Sequence, residues 1–440
     1  MYMKIIIFLL IGYIFTNNYS DSLFILKSNG DYLKVIDLAD DAIKKSINLD
    51  HTFYKSASEI ALKIDDFDKS IKYLKKAISL EDIKSYRDEW DRIVRMRKDI
   101  EIALKKYQEG GDYLGAVDDL KALNFANCGL VDYSIGKLHQ QEENYESALS
   151  SFKKAVQINP FREKYRLSMN FIIGKFISDG DEYYSMRDFS SAKNQYMFAF
   201  NNLSSNETEI DFQKKIALQF KISKALFFLK EYSESEKILN QLLSLDDTHF
   251  EAFKLIGDVQ KRLDKRELAL QNYLKAIDVN QDYEKAYLAV GQIYFSENNI
   301  EKSLEYLEKA IDLKKDYAKA YETIGVIFQN IADSGNSKEY TKALYYYEQA
   351  ITYDRRNYKV MARLSSVYNN LLKFDLAKKY AKDCIKVKRS YPDAYYELGV
   401  AEKGLGNRIA AMEAFKNAKK SSKWRKIAQY EIDLIKKELN

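Results

Sequence analysis

Metal ligation or nucleophilic catalysis in this 440-residue chain would have to be built from three histidines, His51, His139 and His249, and two cysteines, Cys128 and Cys384. A structural zinc site takes four closely spaced thiolate or imidazole ligands, and a His-based triad needs a nucleophile and an orienting acid at fixed distances. These five residues are scattered, there is no CxxC pair, and no GxxxxGK[ST], GxSxG or HExxH string occurs. No disulfide, metal, cofactor or catalytic residue is expected, and the chain reads as a non-enzyme. The abundant chemistry is charge: 70 Lys and Arg against 65 Asp and Glu, a net charge of +5. So small an excess, with both signs interspersed, predicts no nucleic-acid partner.

Charged side chains recognise a partner only if the backbone aligns them. Length alone suggests about three domains, a prior that fails for repeat proteins. Only 2 Pro and 16 Gly accompany 46% hydrophobic and 14% aromatic residues. Turn-rich β folds and disordered chains are excluded by such numbers, and long helices joined by short turns are expected. At the N-terminus, Lys4 precedes an apolar run from Ile5 to Phe15. That run is too short for a membrane span and fits the hydrophobic core of an export signal, so residues 1–20 are expected to be a signal peptide or an N-terminal anchor.

Gly257, Gly291 and Gly325 recur at intervals of 34 residues in similar settings, FKLIGDVQ, YLAVGQIY and YETIGVIF, and Gly136, Gly180 and Gly399 occupy the same slot. With that glycine counted as position 8, small residues fall at positions 20 and 27 around a bulky one at 24: Ala148, Phe152 and Ala155; Ala269, Tyr273 and Ala276; Ala411, Phe415 and Ala418. Spacings of 4 and 3 place the trio on one helical stripe. A second helix carrying that stripe can approach a first helix where the glycine lacks a side chain, so the repeat is a helical hairpin.

At these residues the chain resembles the tetratricopeptide repeat family, whose 34-residue helix-turn-helix unit carries an aromatic at position 4, Leu-Gly at 7 and 8, Tyr at 11, Ala at 20, Phe at 24 and Pro at 32. Tyr395, Leu398, Gly399, Ala411 and Phe415 match, as do Gly136, Ala148, Phe152, Ala155 and Pro160. The resemblance implies an all-α, right-handed superhelical solenoid of antiparallel helix pairs. About eleven repeats are expected, starting near 16, 51, 97, 129, 173, 216, 250, 284, 318, 358 and 392, with a capping helix at 426–440. Repeats are irregular over 21–215 and regular over 216–425. Extra residues near Ser85–Met96, Glu163–Ile172 and Ser204–Phe212 should extend helices or bend the stack, and those at Ala332–Lys338 should form a flexible loop.

Repeat solenoids hold partner proteins on an extended concave surface. In the family that groove is lined from the first helix of each repeat, mainly at positions 2, 5, 9 and 12. Transferred to this chain, the resemblance implies a groove of Lys221, Lys224, Lys254, Lys261, Arg262, Lys285, Gln292, Lys319, Gln329, Asn330, Lys359, Arg363, Asn369 and Asn370, interrupted by Glu251, Asp258 and Glu322. A basic, amide-rich groove would bind an acidic or extended peptide. Lys359 and Arg363 match the last pair of the family's clamp for a C-terminal carboxylate, but Leu288, Gln292 and Thr323 stand where Lys, Asn and Asn are wanted, so that clamp is not supported. Most aromatics fall at core positions; Phe227, Phe228 and Phe295 map toward the groove, and His139 falls in a core slot. The expected function is a non-catalytic scaffold of the cell envelope, periplasmic or anchored facing the periplasm, touching membrane only through its N-terminus. A targeting or regulatory subunit of an envelope enzyme, and a cytosolic co-chaperone, are the alternatives.

Overall fold

The computed structural model describes residues 18–123, 128–203 and 209–439. The expected export segment lies outside these as far as residue 17, and residues 18–20 open the first helix. Some 82% of the described residues are helical, with no strand among them. The helices form two compact units, divided at Ser205 and Asn206.

In the first unit the hairpins are α1 (18–28) with α2 (Tyr32–Lys44), α3 (His51–Lys63) with α4 (Phe67–Leu80), α5 (Lys84–Gly110) with α6 (Tyr113–Ala122), α7 (Gly129–Gln141) with α8 (Tyr145–Ile158), and α9 (Glu163–Ser185) with α10 (Phe189–Asn201). The second unit pairs α11 (Glu209–Leu229) with α12 (Tyr232–Leu245), α13 (Phe250–Arg262) with α14 (Arg266–Val279), and α15 (Glu284–Ser296) with α16 (Ile300–Leu313). It continues with α17 (Ala318–Asp333) and α18 (Tyr340–Tyr353), α19 (Tyr358–Asn370) and α20 (Phe374–Val387), then α21 (Pro392–Gly404) and α22 (Arg408–Ala418), and ends in α23 (Arg425–Leu439). These are the eleven hairpins and closing helix that the register predicts. The extra residues before three repeats lengthen their first helices, giving 27 residues in α5, 23 in α9 and 21 in α11. Ala332–Lys338 is only in part a loop, because α17 runs to Asp333 and a 3-10 turn at Ser337–Glu339 leads into α18.

Each hairpin closes where the sequence places small residues. A Cβ built on Gly136, Gly180, Gly257, Gly325 or Gly399 would lie 2.5–2.7 Å from ring carbons of Phe152, Tyr196, Tyr273, Tyr347 or Phe415, inside the contact distance of real side chains. Three repeats hold serine in the same slot. There Ser58 and Ser365 donate to the carbonyls of Ser70 and Ala377 at 2.9 and 2.8 Å, while Ser235 donates back to the Ser223 carbonyl at 2.9 Å. A hydroxyl thus replaces close packing with a hydrogen bond between the two helices.

The turn within the hairpin has its own signature, seven residues after that slot. In ten hairpins this residue has positive φ, although only Gly30, Gly111 and Gly406 among them are glycines; Asp65 (54°), Arg187 (63°), Asn298 (59°) and Leu372 (56°) are typical of the others. In five of these hairpins the following residue caps the second helix: Asp66, Asp112, Asn144, Asp188 and Asn299 each accept from the backbone N–H three residues on, at 2.9–3.3 Å. Leu372 is the poorest fit, being 73% exposed with a left-handed backbone that L-residues avoid by about 1–2 kcal/mol. Leu372→Asn is expected to stabilise the second unit by about 0.5 kcal/mol, since Asn tolerates this conformation; a lowered urea midpoint would contradict that.

A contact in the first unit skips a repeat. The α8–α9 junction folds back onto the turn between α3 and α4, where Arg162 pairs with Asp66 at 2.9 Å, Tyr165 donates to the Asp65 carboxylate at 3.1 Å, and Asn159 donates to the Lys63 carbonyl at 2.9 Å. Asp65 is 4% exposed and also receives the backbone N–H of Gly129 at the start of α7. Burial raises its pKa above the ordinary carboxylate value, against the pull of these donors and of Arg162.

Candidate functional site

In the second unit, the first helices of successive hairpins stand side by side and enclose two cavities. One, of about 440 Å³, is lined by Phe227 of α11, Asp258, Lys261 and Arg262 of α13, and Gln292 of α15. Asp258 is spent internally: one oxygen accepts from Tyr273 at 2.9 Å and the other pairs with Lys254. Lys261 and Arg262 therefore make no ion pair among the described residues. Lys261 is exposed at the cavity rim, and partial desolvation by its neighbours lowers its pKa; Asp258 opposes the shift and Arg262 adds to it.

The other cavity, of about 380 Å³, lies between α17, α19 and α21 and is closed by the turn before α23. Lys359, Arg363 and Lys423 line it together with Glu322, Asp393 and Glu397. Three cations thus face three carboxylates, so this part of the groove is charge-balanced rather than basic. Its carboxylates are already engaged. Glu322 accepts from Lys319 at 3.0 Å and from Asn357 at 3.2 Å, Asp393 pairs with Lys423, and Glu397 accepts from Asn369 at 2.8 Å. The donors are less committed: Arg363 reaches Gln329 at 3.5 Å, and Lys359 makes no ion pair among the described residues.

Of the groove residues expected from sequence, the structure brings Lys261, Arg262 and Gln292 to the first cavity and Gln329, Lys359 and Arg363 to the second. The others line neither. Lys224 lies over the Phe220 ring at 5.6 Å, Lys285 over Tyr283 at 5.9 Å, Lys221 is half-buried on α11, and Asn330 is exposed. Asn369 is buried and holds Glu397, while Asn370 donates to the Tyr340 hydroxyl at 2.8 Å. Phe228 is 51% exposed, and Phe295 packs against the core. His139 is half-buried against Tyr113, its pKa lowered by burial. No group of three or more metal-ligating side chains assembles, and no helix is long and apolar enough to cross a membrane, among the described residues.

Asp393 and Glu397 occupy positions 2 and 6 of the last repeat, so carrying the family's groove positions one repeat further finds both. Lys423 and Trp424 lie in the turn after the last repeat, where the period gives no register.

Profile comparison matches residues 52–83 and 133–162 to the tetratricopeptide repeat and 291–331 to the TPR repeat, with 331–435 matching the TT21 fifth ARM repeats domain. The chain carries tetratricopeptide repeats. None of the curated proteins matches it. Among solved structures, a tetratricopeptide repeat protein from Parabacteroides merdae aligns over 60% of this chain and 98% of its own, with 14% identity and a TM-score of 0.42. Pseudomonas aeruginosa pilF aligns over 50% and 99%, with 13% identity and a TM-score of 0.45. The APC/C hetero-tetramer Cut9-Hcn1 aligns over 94% and 95%, with 10% identity and a TM-score of 0.44. Apart from Tyr391, Lys423 and Trp424, the linings of these two cavities come from first helices.

Proposed function

We propose that the chain is a non-catalytic scaffold that binds an extended segment of a partner protein along the first helices of its second unit, between α11 and α21. The supporting observation is that Lys261, Arg262, Lys359 and Arg363 line two cavities on these helices and form no ion pair with the chain's own carboxylates among the described residues. A partner that supplies acceptors would complete them, with Gln292 available to backbone groups. The run from Ile5 to Phe15 supports export, and with it work at a cell envelope as a periplasmic or N-terminally anchored assembly factor.

The partner is identified by in-cell crosslinking and mass spectrometry, and its affinity is then measured for Lys261→Ala/Arg262→Ala/Lys359→Ala/Arg363→Ala. These cations are at or near the surface, so the fold should survive, with helical circular dichroism unchanged. Affinity should fall at least tenfold, about 1.4 kcal/mol. Undiminished affinity would reject the groove as the binding surface.

A further inference from the structure

Between Lys416 and Tyr430 the chain carries six Lys and Arg and no acidic residue, a surplus larger than the +5 of all 440 residues. The segment runs from the end of α22 into α23. Little of that charge is neutralised within the fold. Lys423 pairs with Asp393, Lys419 and Lys420 donate to the neutral side chains of Gln429 and Asn417, and Lys416, Arg425 and Lys426 make no ion pair among the described residues. The acids that follow on α23 are already engaged: Glu431 by Lys403 at 2.6 Å, Glu438 by Arg408 at 3.1 Å, and Asp433 by Gln429 at 2.8 Å.

α23 also departs from what a closing helix needs, a polar outer face, because no further hairpin covers it. Ala428, Ile432 and Ile435 face the core. Ile427, Tyr430 and Leu434 recur at spacings of 3 and 4 as a second apolar stripe that is turned outward, Ile427 being 47% and Tyr430 62% exposed. Lys426 and Lys437, four residues before Tyr430 and seven after it, share its side of the helix. Exposed cations beside an exposed apolar stripe, on a 15-residue helix too short to span a bilayer, are the pattern of an element that lies in a membrane interface.

We propose that α23 and the turn before it dock on an anionic lipid surface, the cations between Lys416 and Lys426 meeting lipid phosphates while Ile427, Tyr430 and Leu434 enter the headgroup layer. A nucleic acid would answer the charge but leave the apolar stripe in water, so lipid accounts for both observations. This contact is additional to the N-terminal one expected from the Ile5–Phe15 run and does not depend on the partner-binding reading.

Trp90 and Trp424 are the chain's two tryptophans. The test uses the full chain with Tyr430→Trp in a Trp90→Phe/Trp424→Phe background, so that the introduced indole alone reports contact at α23. Vesicles are phosphatidylcholine with or without about one-third phosphatidylglycerol. An apolar N-terminal run would insert into either kind, whereas α23 should respond to lipid charge. On phosphatidylglycerol vesicles the emission should shift to the blue and be quenched by brominated acyl chains. On phosphatidylcholine it should do neither, and about 0.5 M NaCl should reverse the signal. A cation near an anionic surface contributes roughly fivefold in affinity, so Lys420→Ala/Arg425→Ala/Lys426→Ala should raise the lipid concentration at half-signal about a hundredfold. All three positions are exposed, so helical circular dichroism should be unchanged. An equal signal on phosphatidylcholine, no signal on phosphatidylglycerol, or a midpoint unmoved by salt and by the three alanines would each overturn the assignment. Tighter binding of a single-stranded oligodeoxynucleotide than of the vesicles, lost in the same triple variant, would reassign the patch to nucleic acid.

Discussion

Gly257→Val is expected to destabilise the second unit by about 3 kcal/mol. Even the first added carbon would lie 2.5 Å from Cε1 of Tyr273 and 2.7 Å from Cδ1. The ring cannot retreat, because Tyr273 is 1% exposed between the fully buried Ala269 and Ala276 and its hydroxyl is tied to Asp258 at 2.9 Å. Interiors at crystal-like packing density accommodate such an insertion only by moving a helix. Gly174, also in a helix, has nothing within 4 Å of its built Cβ. Gly174→Val should therefore change stability by less than about 0.5 kcal/mol, the small difference in helix propensity. Urea unfolding followed at Trp424 for the first variant and at Trp90 for the second reads each unit separately. Equal effects at the two glycines would show that close helix approach does not explain the repeated glycine.

Tyr165→Phe should cost the first unit about 2 kcal/mol, because it removes a hydroxyl donor from a carboxylate that has almost no water to replace it. The sign of the pH effect follows from Asp65. Its folded pKa is raised above the unfolded value of about 3.9, so the charged form is the one the fold disfavours. Its contribution to stability is full below about pH 4 and is lost as pH rises through the folded pKa. Tyr165→Phe raises that pKa further and steepens the loss, whereas Asp65→Asn removes the titration and flattens it. Unfolding of the first unit at pH 4 to 7, followed at Trp90 in a Trp424→Phe background, checks both slopes. A wild-type first unit whose Asp65-dependent stability increases with pH over that range would contradict the buried, raised carboxylate.

The hairpins were legible because their determinants are local and periodic. Gly257, Gly291 and Gly325 mark where helices touch, the stripe through Ala269, Tyr273 and Ala276 marks the core, and the expected starts at 250, 284, 318, 358 and 392 coincide with those of α13, α15, α17, α19 and α21. The turn residue was hidden because side-chain type does not declare it: Leu372, Arg187 and Asp65 share one left-handed conformation that the hairpin geometry imposes. The tie from Asp65 and Asp66 to Tyr165 and Arg162 was invisible for a different reason. A repeat pattern encodes contacts between neighbours, and this tie joins residues 96–100 positions apart across an intervening hairpin.

The groove was only partly legible. Helical spacing identified the helices that carry Lys261, Lys359 and Arg363, but not which cations the chain neutralises itself. Lys254 belongs to Asp258 and Lys319 to Glu322 through hydrogen bonds within one helix turn, and Asp258 is further fixed by a tyrosine of the facing helix. Such pairing depends on rotamers and on the neighbouring repeat. Trp424 lies beyond the last period altogether, although it closes the cavity at that end.

The most direct measurement is site-specific photocrosslinking to the partner in cells. A crosslinking amino acid is placed in turn at Lys261 and Arg363, on the cavity-lining first helices, and at Lys309 and Lys416, on second helices away from both cavities. Adducts to the same partner protein at Lys261 and Arg363, with none at Lys309 and Lys416, are predicted. Adducts confined to Lys309 and Lys416 would place the binding surface on the opposite helices and contradict the account.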